Sequence, residues 1–329
     1  MRSSGIGAWA LLFFLGAANL SANISRTVER VFPFAPGEIP LVKLEVFYGS
    51  VTVESAEGNA VRIEVKLDFD TEQETVADRV QKNLTLAFAQ QGGVITVGAE
   101  YSRSVHWDFE SWPPVKLAFK LLVPARCNLD LYTRDGNLVV GLLGGAMKAR
   151  THYGAISFRG VQGSIEAQSE FGDITVQHCT GALKLRSVSG NFRIGPVGGF
   201  ADVFGYGGEI EVQSAGGGIK AETSGADLLV GFSYPVTAPA TLRTGGANVI
   251  LAIDQRSACT LDLRASIFGK VVNVKDRLQL TPTSGAFGKS RLKAALNGGG
   301  PQIAATASGG YVYVQATVPA EESPASQAR

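Results

Sequence analysis

From residue 136 onward glycine recurs every nine residues without a break, at Gly136, Gly145, Gly154, Gly163, Gly172, Gly181, Gly190, Gly199, Gly208 and Gly217. The second and fourth residues after each glycine are almost all apolar, as in Leu138/Val140, Ile156/Phe158, Ile165/Ala167, Ile174/Val176 and Leu183/Leu185. Apolar positions at a period of two describe a short strand with one buried face, so each nonamer predicts one strand and one turn. Alternate nonamers differ in kind. One class carries two bulky apolar residues, whereas the other places a charge between its apolar pair, at Lys148, Glu166, Lys184, Asp202 and Lys220.

The larger period is therefore eighteen. An inward apolar column (Leu143, Val161, Cys179, Val197, Ala215) and a small-hydroxyl column (Thr133, Thr151, Ser169, Ser187, resumed at Thr223 after Gly205) also recur only every eighteen residues. A 27-residue coil would mix these columns. The pattern predicts an all-β chain, a parallel β-solenoid with 18-residue, two-strand coils stacked about 4.8 Å apart. Glycine is expected at the turns, where the chain needs either φ > 0 or a close backbone approach that a Cβ would obstruct. Alternating signs in the charged column bring opposite charges together on successive coils, which favours one register by roughly 0.2–1 kcal/mol per pair.

The pattern fades toward both ends. Gly49 leads Val51/Val53, and Gly58 leads Val61/Ile63/Val65; both read as outer coils, as does Cys127 with Leu129/Leu131. Val76, Val80 and Leu84 follow a polar Asp70-Thr71 start at helical spacing, predicting a helix over 70–83. A hairpin of 84–88 with 94–97 around Gly92-Gly93 follows. Helix and hairpin form an insertion at about 66–114 in a domain spanning 23–317. Segments 247–253, 260–265 and 309–315 read as further strands, and the Pro/Ser/Ala/Glu-rich stretch 318–329 reads as disordered. Residues 1–22 have the order of a Sec-type signal peptide: Arg2, a short apolar run from Ile6 to Leu15, then small residues with cleavage expected after Ala18 or Ala22. The apolar run is too short for a transmembrane segment, so the chain is expected to be exported to the periplasm or the cell surface.

Composition narrows the chemistry. Glycine is 40 of 329 residues, and Lys+Arg 30 against Asp+Glu 29 leaves +1, which gives no electrostatic reason to expect nucleic acid as a partner. Cys127, Cys179 and Cys259 lie far apart without a CxxC, compatible with one bonded pair and one free thiol; Cys179 is expected to be buried in its apolar column. His106, His152 and His178 lack HxH or HExxH spacing, and the residues after the glycines are not the GGxGxDx of calcium β-rolls, so neither a metal nor a cofactor is called for. The carboxylates with an enzyme-like placement are Asp173 and Glu209, two coils apart with Asn191 between them; as a glycosidase or lyase pair they would stand roughly 10 Å apart by strand spacing.

The segment from Tyr101 to Pro114 concentrates Tyr101, Trp107, Phe109 and Trp112. Such aromatics either stack on sugars or anchor a partner, or they pack back over the solenoid as a cap hiding its edge.

The run from Val115 through Val123-Pro124 into the rungs at Leu129 and Leu138, with Tyr311-Val-Tyr-Val near the end, resembles a bacterial family of adhesin-like proteins. The resemblance covers roughly residues 40–316 and is architectural. It implies an exported or envelope protein with no catalytic residues, serving adhesion or scaffolding, whose partner would be an envelope polysaccharide or a surface protein. The alternative is a carbohydrate-active solenoid enzyme. The aromatic segment departs from the family's pattern, so no role there follows from the resemblance.

Overall fold

A computed structural model describes residues 23–101, 113–276 and 278–317. Two sheets of 13 and 14 strands face each other, and each coil gives one strand to each. In one sheet Met147, Ile165, Leu183, Ala201 and Ile219 stand side by side on parallel strands. In the other Ile156, Ile174, Phe192, Ile210 and Leu228 do the same. All of these side chains are buried between the sheets, so the 18-residue, two-strand coil read from the sequence is the repeating unit of the molecule. Cys127, Cys179 and Cys259 are all free thiols with no exposed surface, which removes the bonded pair.

The corners explain the glycines. A Cβ on Gly154 would lie 2.1 Å from the Gly136 carbonyl oxygen, one on Gly172 1.8 Å from that of Gly154, and one on Gly190 1.9 Å from that of Gly172. Close approach of successive backbones is thus the dominant reason; among the ten nonamer glycines φ is positive only at Gly136 and Gly145. The buried hydroxyl column serves the same corner. Ser169 Oγ donates to the Gly154 carbonyl at 3.2 Å and accepts the Gly172 N–H at 2.9 Å; Thr223 donates to Gly208 at 3.0 Å. The column skips Gly205 because the Phe192 ring fills that space, and a Cβ there would meet it at 2.9 Å.

Residues just after the corner glycines form a second ladder. Asn137 Oδ1 accepts the Ala155 N–H, Asp173 Oδ1 that of Asn191, and Asn191 Oδ1 that of Glu209, at 2.8–3.0 Å. On the outer face the charged column is longer than the sequence reading had it, since Lys43 and Asp130 precede Lys148 in register. Glu166 binds Lys184 at 2.9 Å, and Asp202 binds Arg186 at 2.5 Å.

Both ends close with antiparallel strands. Ala60–Phe69, expected as an outer coil, runs antiparallel to Ser25–Pro33 and Val115–Pro124. The helix occupies Glu74–Lys82, a turn later than its polar start suggested; Ala77 and Val80 are buried, and Arg26 grips Glu74 and Asp78 at 2.5 and 2.7 Å. The hairpin Leu84–Gln91 with Val94–Tyr101 forms as expected. Its second strand also lies parallel to Leu41–Tyr48 and so belongs to the solenoid sheet. At the far end spatial order departs from chain order: Gln302–Ala307 inserts between Ala240–Thr244 and Cys259–Arg264, and Val312–Ala316 between Val249–Ile253 and Val271–Asn273.

Candidate functional site

Positions that directly precede the corner glycine of every second nonamer point outward. Tyr48, Asp135 and Tyr153 are neighbours there in register, and Phe171 follows one coil on, its N–H bonded to the His152 carbonyl. The Tyr153 and Phe171 rings stack at 5.2 Å with 6° between their planes. They remain 51% and 55% exposed.

Rings stacked at close to the coil spacing stand across the solenoid axis, so the second face of Phe171 turns toward the next coil. There the column drops to Ser189 and Gly207, which carry almost no side chain. Beside this step stand the exposed side chains of Val188, Phe204 and Tyr206. The result is a notch with an aromatic wall, a floor of small residues and an apolar flank. Polar groups line the other approach: His152 Nδ1 lies 3.0 Å from Glu170 Oε2, Tyr132 meets the His152 ring edge-on at 6.4 Å, and Arg150 lies over Tyr132 at 5.8 Å. Apolar ring faces bordered by hydrogen-bonding groups suit a ligand with an apolar face and polar rim.

Of the aromatic residues singled out in the sequence, Trp107, Phe109 and Trp112 lie outside the described residues. Tyr101 is half-buried and donates its hydroxyl to the Val115 carbonyl at 3.2 Å; burial pushes that hydroxyl well above its ordinary pKa. It ends the strand beside Leu41–Tyr48, with Ala99 opposite Val46. The chain therefore enters the Trp-rich segment from the strand next to the edge of the sheet on which the aromatic corner is built. The corner residues were not singled out from the sequence. Their signal was present in the aromatic residues before two alternate corner glycines (Tyr153-Gly154, Phe171-Gly172), but outward positions do not register in a pattern read for buried columns.

The enzyme alternative fares differently. Asp173 spends one oxygen on the Asn191 N–H, and its other oxygen lies 3.7 Å from Arg193, while Asn191 links the ladder on to Glu209. A groove of about 580 Å³ runs beside the charged column, with Glu166, Lys184 and Asp202 among its lining residues and Phe200 at one end. Lys184 holds the Glu166 carboxyl below its ordinary pKa; Lys66 does the same for Asp68 and Arg256 for Asp254. A general acid requires the opposite shift. A second trough of about 640 Å³ on the other sheet is lined by Gln177, Arg193, Glu211 and Gln213. Among the described residues no three His, Cys, Asp or Glu side chains gather as metal ligands. No described helix is long and apolar enough to cross a membrane.

The sequence matches no family model and no curated protein. Among solved structures, a "putative lipid binding protein" from Parabacteroides distasonis matches at 12% identity over 88% of this chain and 96% of its own, with a TM-score of 0.41. A "putative adhesin" from the same organism matches at 8% identity over 89% and 97%, TM-score 0.41. Another "putative adhesin", from Bacteroides fragilis, matches at 8% over 89% and 97%, TM-score 0.32. All three TM-scores are below 0.5, and the fold and site described above rest on the chain's own register and contacts.

Proposed function

We propose that the chain is an exported, adhesin-like binding protein without catalytic activity, and that it holds an envelope polysaccharide against the corner formed by Tyr153, Phe171, Val188 and Tyr206. The observation that carries this reading is the Tyr153–Phe171 stack with its open second face above Ser189 and Gly207. A sugar ring has an apolar face of C–H groups that suits an aromatic face, and hydroxyls on its rim for a group such as Glu170, whose backbone carbonyl already receives the Ser189 N–H. A stack of identical coils also presents one surface along its length, which suits a long ligand. In this reading the Trp-rich segment, with Trp107, Phe109 and Trp112, extends the binding face beyond the strand ending at Tyr101. Export rests on the leader-like order of residues 1–22.

Retention of the full chain on immobilised polysaccharide from a bacterial envelope tests the proposal. Phe171→Ala combined with Tyr153→Ala should weaken retention at least tenfold, and Trp107→Ala with Trp112→Ala should weaken it as well, all with an unchanged circular dichroism spectrum. Retention unaffected by the first pair sinks the corner as the site. A fold that collapses when both tryptophans are removed assigns that segment to capping instead. Release of reducing ends or unsaturated sugars by the wild type, lost in Asp173→Asn, would establish the enzyme.

A further inference from the structure

At the closing end of the stack, Ile267 and Phe268 are each 91% exposed, far more than any other large apolar side chain among the described residues; Tyr206 follows at 64%. They form the tip of the turn Ser266–Gly269, in which the Gly269 N–H meets the Ser266 carbonyl at 3.1 Å. The base of this turn is fastened on several sides. Ala265 and Val271 donate their N–H groups to the Ser290 and Lys289 carbonyls at 2.8 Å, and Ser266 donates to Gly310 at 3.1 Å. A Cβ on Gly269 would lie 2.1 Å from the Gly310 carbonyl oxygen. A firmly seated turn thus holds two bulky apolar side chains out in water.

The charge beside that tip is one-sided. Residues 262–293 contain seven Lys or Arg and two Asp, a sum of +5 in a chain whose total is +1, so the remainder carries −4. Lys270 and Lys289 adjoin the turn and are exposed, as are Arg264, Arg291 and Lys293 on the closing strands. Arg264 lies directly opposite Arg291 in register. Asp262, directly opposite Lys293 in register, is shared between Arg264 at 3.3 Å and Lys293 at 3.4 Å. The coils alternate charge signs between neighbours, whereas the pair nearest the turn, Arg264 opposite Arg291, sets like charges side by side, which an anion from outside would relieve.

We propose that this end docks on an anionic phospholipid bilayer, Ile267 and Phe268 entering the boundary between headgroups and acyl chains while Arg264, Lys270, Lys289 and Arg291 meet lipid phosphates. A convex apolar tip fits a fluid surface that can close around it, and a basic collar at its base sits at headgroup depth. The aromatic corner remains free to bind its own ligand.

Flotation of the full chain with vesicles tests this, using 3:1 phosphatidylcholine/phosphatidylglycerol against phosphatidylcholine alone. Binding should require the anionic lipid. Ile267→Ser with Phe268→Ser should lower it at least tenfold, and Lys270→Gln with Lys289→Gln should lower it and reduce its salt dependence. All three native thiols are buried, so Phe268→Cys allows an environment-sensitive fluorophore to be placed at the tip alone. Its emission should rise and shift to the blue on anionic vesicles. Binding that survives the Ile267/Phe268 substitutions, or a labelled tip that stays in water, overturns the proposal. Self-association abolished by the same substitutions, with no vesicle binding by the wild type, would assign the tip to a second copy of the chain and overturn it too.

Discussion

Gly172→Ala isolates the reason for the nine-residue glycine period. The added methyl would sit 1.8 Å from the Gly154 carbonyl oxygen, where Cβ atoms are essentially never nearer than 3.0 Å. The two coils must therefore part by roughly an ångström, about a fifth to a quarter of a strand spacing of about 4.8 Å. The bonds that cross between the two coils at this corner, Ser169 Oγ–H to the Gly154 carbonyl at 3.2 Å and Ile156 N–H to the Asp173 carbonyl at 2.9 Å, would stretch toward breaking. Overpacking of this kind costs about 1–3 kcal/mol and each weakened bond about 1 kcal/mol. Some 3 kcal/mol is expected in total, on the order of a hundredfold in the local opening equilibrium. The matched control is Gly225→Ala, whose methyl would meet nothing nearer than the Tyr206 carbonyl oxygen at 3.8 Å; it should change stability by no more than about 0.5 kcal/mol. Urea unfolding gives the global comparison. Hydrogen exchange of peptides within 147–176 gives the local one, which matters because stacked repeats open piecewise. Equal midpoints and equal exchange for the two variants would refute the close-approach argument.

Asn191→Ala should cost about 0.5–1 kcal/mol by removing the acceptor of the solvent-facing Glu209 N–H, and Asn191→Asp should restore most of the loss; urea midpoints that do not distinguish the two would remove the corner ladder from the account. Lys184→Glu would place three acids on successive coils at Glu166, 184 and Asp202, lowering stability by roughly 0.5–1 kcal/mol at low salt and less at 1 M salt. The Cys127 thiol, buried and pushed up to about 12 from an ordinary 9.0, keeps its proton in the folded chain after the unfolded chain has released it. Between those values the folded state binds more protons, so stability falls as pH rises, by up to about 1.4 kcal/mol per pH unit from this group. Cys127→Ala lacks that slope, and the stability gap between wild type and variant should narrow from pH 9 to 10.5; a constant gap would contradict the assignment.

The coil was legible because its cause is repetitive: one buried column per sheet, read at a period of two, and one crowded corner, read as glycine at nine. The end closures were not. Val61, Ile63 and Val65 alternate like any rung, and only the path of the returning chain makes that strand antiparallel. Nor does any local signal announce that Val312–Ala316 fits between Val249–Ile253 and Val271–Asn273, because strand partners 63 residues apart leave no period. Gly205 stood out as a gap in a hydroxyl column, but its reason, the Phe192 ring, lies on the opposite sheet. The aromatic corner was spelled out before Gly154 and Gly172 and passed unremarked, since outward side chains obey no burial rule.

The central claim is that the open face of Phe171, above Ser189 and Gly207, is a ligand platform. It is tested most directly by a crystal structure of the chain with an oligosaccharide cut from the envelope polysaccharide that it retains. The account predicts a sugar ring lying parallel to the Phe171 ring on its Ser189 side, with hydroxyls within hydrogen-bond reach of Glu170. An oligosaccharide bound in the 580 Å³ groove beside Lys184 and Phe200, with the notch empty, would contradict it.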